Sequence, residues 1–518
     1  LFKLIAASLL FGSLFAPAAS AATQKPGPSP ELYKKPYYTC SRIYYVAPKG
    51  SDGSVGSQSN PWKTLQGANT NLAALGSTAP GVCVYVQPGK YDGVQMSVGG
   101  NYASASGYLT YRCTALDACI IKGDAGYHGG ESFETVWPSV GGIPPNYIQI
   151  DGFVMTGGND IASADGVTIT NGDNGTEIGS HHIWVLNSEI SGFGQSGAAV
   201  AATEYIYMIH NRVHGNSNLN CGAQGSGLAF NIMHAIPNYT PTADDRTNPN
   251  PLLGPTWVIG SSFFHIVTSW NIVYNNALTQ CGTQNTPYDT DGNGIIFDTN
   301  LENYVGGVNQ GNTQNYVSPS LVAFNVVYNN GGGGMHFYLS ADSTVANNSC
   351  FNNYLDPADQ GSSRPCIDNQ QGYGFSFISN IAVAIPASHT GNCFPVTPPY
   401  TGYNFAMLGA PSTPTLDVFS NNITRVIGMS CTGAEDAMYN GDVFTCAPGA
   451  PPANQCATDP SWVAVGNTSE GSETTPPRGA NFALKPGSPA IGKGLVESYL
   501  PASAIDVGAC SSSLTVCH

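Results

Sequence analysis

A chain of 518 residues with a formal net charge of -16 and only 10% charged residues lacks the clustered basic surface that phosphate binding requires, which excludes nucleic acid as a partner. Its 62 Gly and 36 Pro disfavour long helices and favour short strands joined by turns. An all-β fold is predicted, and the length admits either several domains or one elongated repeat.

Residues 1–21 read as a secretory signal, because Lys3 precedes a long apolar run that ends at the small residues Ala19-Ser20-Ala21. The expectation is a secreted or periplasmic protein, a monomer with no membrane association after cleavage. No later run reaches the roughly 20 apolar residues of a spanning helix. Residues 22–42 read as an N-terminal linker, 43–512 as one domain of stacked coils, and 513–518 as a tail. A strand at IYYVA is followed by a Gly/Ser loop and then by a helix with Leu65, Ala68, Leu72 and Leu75 on one face, suited to covering the open end of a strand stack. Fourteen cysteines fit an oxidising compartment. Proximity in sequence pairs Cys113 with Cys119, Cys350 with Cys366, Cys510 with Cys517, Cys221 with Cys281, and Cys446 with Cys456.

Seven segments share an apolar run, an asparagine and a second short apolar run: WVLNSEI with Asn187, YMIHNRV with Asn211, TSWNIVYNN with Asn271, VAFNVVYNN with Asn325, VANNSCFNN with Asn348, FISNIAV with Asn380 and FSNNITR with Asn422. Asn187 to Asn211 spans 24 residues and Asn325 to Asn348 spans 23. A repeat of that size made of short strands and turns predicts a solenoid whose coils stack in register. Asparagine suits the recurring turn because it tolerates a left-handed backbone and can hydrogen-bond the asparagine of the next coil. The sequons at Asn347 and Asn422 are therefore read as structural ladder residues and not as sugar attachment sites.

The stretches YYVAPKGSDG, NPWKTLQGA, VQPGKYDG, NFALKPGSPAIGKG and DVGAC resemble the flanking motifs of secreted right-handed parallel β-helix proteins of the pectate-lyase-like superfamily. The resemblance runs from about Ile43 to Cys510. It implies a single right-handed parallel β-helix with an N-terminal helical cap and an irregular, disulfide-tied C-terminal region. That superfamily includes lyases, hydrolases, epimerases and non-enzymatic adhesins, so the resemblance does not select a reaction.

Aligning the glycine before each alternating strand puts Gly227, Gly294, Gly334 and Gly374 in one column. Period-two alternation then turns Ala229, Ile296, His336 and Ser376 outward, with Asn231, Asp298 and Tyr338 outward two positions on. Asp298, His336 and Tyr338 are expected on one exposed face, the shallow groove along which a glycan would bind. Asp289, Asp291 and Asn293, in YDTDGNGIIFDTN, stand at the first, third and fifth positions of an EF-hand-like loop whose twelfth residue is Asn300 and not Glu. Two readings stand: a calcium site of a different type, or a turn leading into Gly294.

The resemblance implies calcium-assisted β-elimination on an acidic, uronate-containing glycan, in which calcium bridges substrate and protein carboxylates and a base removes the C5 proton. The base in several such families is Lys or Arg. No lysine lies between Lys122 and Lys485. Arg212 is thus the arginine candidate, and His336 and His214 are the imidazole candidates. The polygalacturonase blocks and the DPHD motif of alginate epimerases are absent, so no catalytic residue is transferred by motif. For His181, His182, His210 and His265 a hydrogen-bonded turn or surface role is the alternative to catalysis. The Pro-rich insertion 235–257 is too long for a tight turn, and its Tyr239 or Trp257 can stack on a sugar or pack the loop itself. A glycoside hydrolase using Asp291 and Asp298, or a non-catalytic glycan-binding surface protein, are the competing functions.

Overall fold

The structure, a computed structural model, describes residues 26–34, 38–76, 80–100, 107–123, 130–135, 144–157, 164–170, 179–218, 225–236, 258–259, 262–277, 292–302, 304–305, 308–309, 315–355, 366–384, 407–410, 417–426, 437–439, 454–455, 458, 460–464, 481–495, 500, 506–510, 512–514 and 517. Within them short strands form three parallel sheets of eleven, ten and ten strands. The chain visits them in rotation. Ile183–Leu186 lies in the first sheet, Glu189–Ser191 in the third and Ala198–Ala201 in the second, and Ile206–Ile209 then returns to pair with Ile183–Leu186. This winding fits a parallel β-helix.

Strand alternation sets the core. Ile183, Val185, Ile190, Ala198 and Val200 point inward with Ile206, Met208, Val213, Leu228 and Phe230 of the next coil, all at most 1% exposed. Outward residues of the first sheet, among them Trp184, Tyr207 and Val267, are covered as well and form a second apolar cluster with Phe263, Phe264 and Leu500. The outer side of the third sheet, from Ile272 to Ile423, is covered by the C-terminal segment through Phe482, Leu484 and Val507.

An asparagine ladder runs along the turn between the first and third sheets. The side-chain Nδ2 of Asn211 donates to Asn271 Oδ1, and the same bond repeats through Asn325, Asn348, Asn380 and Asn422 to Asn454, at 2.9–3.1 Å. Six of the seven expected positions lie in it. Asn187 does not: the ladder begins at Ser188, whose N–H donates to Asn211 Oδ1, while Asn187 Nδ2 donates to Asp151. The coil period there is 23 residues, so the reading at Asn187 slipped by one position. The left-handed backbone falls at Asn187 itself but one residue before each of the six ladder asparagines, at His210, Trp270, Phe324, Asn347, Ser379 and Asn421. Ladder asparagines are selected for side-chain pairing and not for backbone tolerance. Asn347 and Asn422 are fully buried, which suits a structural position and not a glycosylated one.

A second ladder, Asn216–Asn276–Asn330–Asn353, runs along the turn between the third and second sheets with bonds of 2.8–3.0 Å. It explains the glycine column. A Cβ on Gly227 would lie 2.5 Å from the Gly294 carbonyl oxygen and Val273 Cγ1 and 2.9 Å from Asn276 Nδ2, and one on Gly294 would meet Val327, the Gly334 carbonyl oxygen and Asn330 Nδ2 in the same way, so only glycine fits between the ladder, the core and the next coil.

The helix Leu65–Leu75 lies beside Val94–Met96, the terminal strand of the second sheet. Gln66 Oε1 and Asn69 Oδ1 each accept an edge N–H, from Gln95 and Ser97 at 3.1 Å. The SDG and NPWKT motifs meet at its start, where Asp52 accepts the N–H groups of Lys63 and Thr64, and Thr64 caps the helix by accepting from Gly67. Described residues of the segment 22–42 make contacts with the coils. Arg112 lies 3.9 Å over the Tyr33 ring and bonds Tyr38 and Asp151, and Gly27 N–H donates to the Trp270 carbonyl.

Disulfides join Cys113 to Cys119, Cys350 to Cys366 and Cys510 to Cys517, and also Cys40 to Cys83, a pair not anticipated. Cys221, Cys281, Cys446 and Cys456 lie outside the described residues, as do the signal segment 1–21 and most of the insertion 235–257. Among the described residues no helix is long and apolar enough to cross a membrane.

Candidate functional site

The second sheet brings together most of the residues expected on one face. Asn231 pairs with Asp298, Asp298 with Tyr338, and Tyr338 with Gln370, on four successive coils. All four are partly exposed, and at about 4.8 Å per strand they make a polar row about 14 Å long. Asn231 Oδ1 is buried with no hydrogen-bond partner among the described residues. His336 pairs with Ile296 on one side and Asp368 on the other, one alternation step from the row.

His336 and Asp368 form a buried pair. His336 Nδ1 lies 2.9 Å from Asp368 Oδ1 and 2.8 Å from Oδ2, and Gln370 Nε2 donates to Oδ2 at 2.8 Å. The imidazole is 3% exposed and the carboxylate 0%. An ionised carboxylate only accepts hydrogen bonds, so it selects the imidazole form with a proton on Nδ1. The Tyr338 ring lies nearly parallel to the imidazole, with centroids 6.2 Å apart.

Asp368 is the residue that sequence reasoning missed. The column was continued through Gly374 to Ser376, yet the structure puts Phe375 in the core and Ser376 in a strand of the first sheet, and Cys366 takes the place after Gly334. A usable signal was present. His336 and Asp368 each lie twelve residues before a ladder asparagine, Asn348 and Asn380, so the ladder carries the register across the insertion 356–365.

Arg212 and His214 are not brought to this face. They lie on Arg212–His214 in the third sheet, where Arg212 Nη1 is 3.2 Å from Glu189 and His214 Nε2 is 3.3 Å from its other oxygen. The His214 hydrogen bond, ahead of the attraction of Arg212, holds the Glu189 carboxyl below the usual carboxylate range. The His214 ring stacks on Tyr274 at 4.8 Å, at the margin of the face covered by the C-terminal segment.

Of the metal candidates, Asp289 and Asp291 lie outside the described residues, as does Trp257. Asn293 is fully buried, and its Oδ1 accepts the Gly333 N–H at 2.8 Å. It belongs to a third ladder, in which Asp165, Ser196, Ser226 and Asn293 each accept the N–H of the next coil. The calcium role expected for Asn293 rests on Asp289 and Asp291 beside it, which lie outside the described residues. Among the described residues no group of three or more His, Cys, Asp or Glu could hold a metal.

Fold and site thus define an all-β protein of three parallel sheets with a polar row and a buried imidazole–carboxylate pair on its second sheet. No protein-family model matches the chain, and no curated protein matches it. Solved structures that it resembles include the pectate lyase Pel9A (14% identity, 91% of this chain and 96% of that one, TM-score 0.42) and the alginate lyase from Paenibacillus sp. str. FPU-7 (12%, 78% and 99%, TM-score 0.42). The A-module of the Azotobacter vinelandii mannuronan C-5 epimerase AlgE4 is a third (11%, 76% and 100%, TM-score 0.37). Likenesses at this level carry nothing about chemistry.

Proposed function

We propose that the protein is a secreted, monomeric carbohydrate-active enzyme, a polysaccharide lyase that cleaves an acidic, uronate-containing glycan by β-elimination. The observation that carries this reading is the His336–Asp368 pair directly beside the row Asn231, Asp298, Tyr338 and Gln370. With its proton on Nδ1, the imidazole has Nε2 as the basic nitrogen, suited to removing the C5 proton. The C4–O4 bond then breaks, a C4–C5 double bond forms, and the leaving oxygen takes a proton from water. Tyr338 is assigned to the sugar face, and Asn231 and Asp298 to its hydroxyls. The expected winding is right-handed, with the helix Leu65–Leu75 covering the N-terminal end.

The ten strands of the second sheet carry no Lys or Arg, so a substrate carboxylate there would need an added cation. Calcium is proposed for that role through Asp289, Asp291 and Asn293. The same absence favours a neutral glycan and hence a glycoside hydrolase as the second reading. That reading uses Asp291 and Asp298 as the acid and base pair, and Asp291 lies outside the described residues.

The test is a panel of pectate, alginate, glycosaminoglycans and xylan, with and without calcium, following ultraviolet absorbance and reducing ends together. The expected result is an ultraviolet-absorbing unsaturated product, with at least a hundredfold loss of rate in His336→Ala. New reducing ends without the chromophore would establish the hydrolase, and no turnover on any glycan would leave a binding protein.

A further inference from the structure

We propose that Asp368, held by Gln370, is a positioning residue that fixes the tautomer and orientation of His336, so that the working base is a unit assembled from two neighbouring coils. This rests on the assignment of His336 as the base.

The fold does not require these residues. Ala229 and Ile296 occupy the same column two coils and one coil before His336, and both are buried at 1% and 2% exposure. An apolar or small side chain therefore satisfies the packing of this position. A carboxylate that is 0% exposed is costly to desolvate unless well partnered, and exchange for an apolar residue is commonly neutral or stabilising. The same column is polar at Gln95, Glu134 and Thr168 and apolar at Ala199, Ala229 and Ile296; after those three coils His336 and Asp368 restore polar groups on adjacent coils, in register, with complementary atoms in contact.

The partners are also arranged for orientation. Asp368 receives Nδ1 of His336 on one side and the Gln370 amide, two residues along its own strand, on the other. Gln370 occupies the polar row beside Tyr338, so the support of the base extends to the face assigned to substrate. Rotation of the Asp368 carboxylate would break the Gln370 bond, and rotation of the imidazole would break the Nδ1 bond. Ligating or catalytic imidazoles commonly depend on such a carboxylate for their tautomer.

The experiment is selective 15N-histidine labelling of the full chain, with the His336 resonance assigned through His336→Gln. Above the imidazole titration the parent protein is expected to show the Nδ1–H form, and Asp368→Asn, which offers one acceptor in place of two, a mixture of tautomers. On the glycan identified by the panel, Asp368→Asn is expected to lower kcat at least tenfold with KM unchanged, and Gln370→Ala to lower it less. An Nδ1-unprotonated His336 in the parent protein would overturn the proposal without any variant. So would a normal kcat in folded Asp368→Asn when His336→Ala is inactive. If the panel yields no cleaved glycan, the enzymatic reading fails, while the tautomer measurement still decides whether Asp368 sets the imidazole.

Discussion

Asp165 and Glu131 illustrate how a single position in a stacked coil acquires properties that its residue type does not announce. They precede aligned strands of the second sheet. Burial, reinforced by the charge of the other, pushes Asp165 up from 3.8 to about 7, and burial likewise pushes Glu131 up to about 7. Because the folded value is the higher one, the associated stability is complete below the usual carboxylate range and is lost as pH rises through about 7. Asp165→Asn keeps an oxygen for the Ser196 N–H without a buried charge. It is expected to raise the thermal midpoint at pH 8, leave it nearly unchanged at pH 3.5, and flatten the slope between. The outward residues Asn231, Asp298, His336 and Tyr338 were legible because strand alternation is a local property of the backbone. Asp368 was not, because the segment 356–365 intervenes and hides the register that joins it to His336.

Among elements, the turns specify more than the strands. Strand sequences such as IWVL, IYMI and SLVA are interchangeable apolar runs, whereas each ladder asparagine makes bonds that a substitute cannot. Asn325 donates to Asn348 and to the Thr268 carbonyl, and its Oδ1 accepts both the N–H and the Nδ2 of Asn271. Asn325→Ala leaves those fully buried groups without partners, at a cost of about 1–3 kcal/mol for each one left unsatisfied. A loss of about 3 kcal/mol, read from the urea midpoint, is the expected outcome, and a change within 0.5 kcal/mol would show that the ladder is incidental. The glycine column belongs to the same logic, since Gly227 and Gly294 face the second ladder and not a ligand.

At the scale of the whole molecule, described residues near both termini, from Gly27 to Cys40 and from Asn481 to Cys517, pack along the outside of the coils. The N-terminal segment starts at the Cys40–Cys83 disulfide, passes Arg112 and Asp151, and reaches His210 and Trp270 through Gly27. The C-terminal segment covers the third sheet, with Gly508 bonded to Ser379, Asn347 to Asp506, and Phe482 against Tyr328. Both ends reach Ile272. Arg112→Met would leave Asp151, 3% exposed, without its ion partner, and should cost about 3–5 kcal/mol. Adding Asp151→Asn should recover part of that loss, and denaturation of the single and double variants measures both.

The all-β character, the coil period and the asparagine turns were determined by the sequence itself, because strand alternation and turn chemistry act between residues close in the chain. The outward row of Asn231, Asp298 and Tyr338 followed from the same local rules. Tertiary structure alone decided that Arg212 and His214 stand on another sheet, that Asn293 is a rung of a ladder, and that Asp368 meets His336. The reason is physical: insertions of variable length separate successive coils, so which side chains touch depends on stacking register, a contact between segments that no local pattern records.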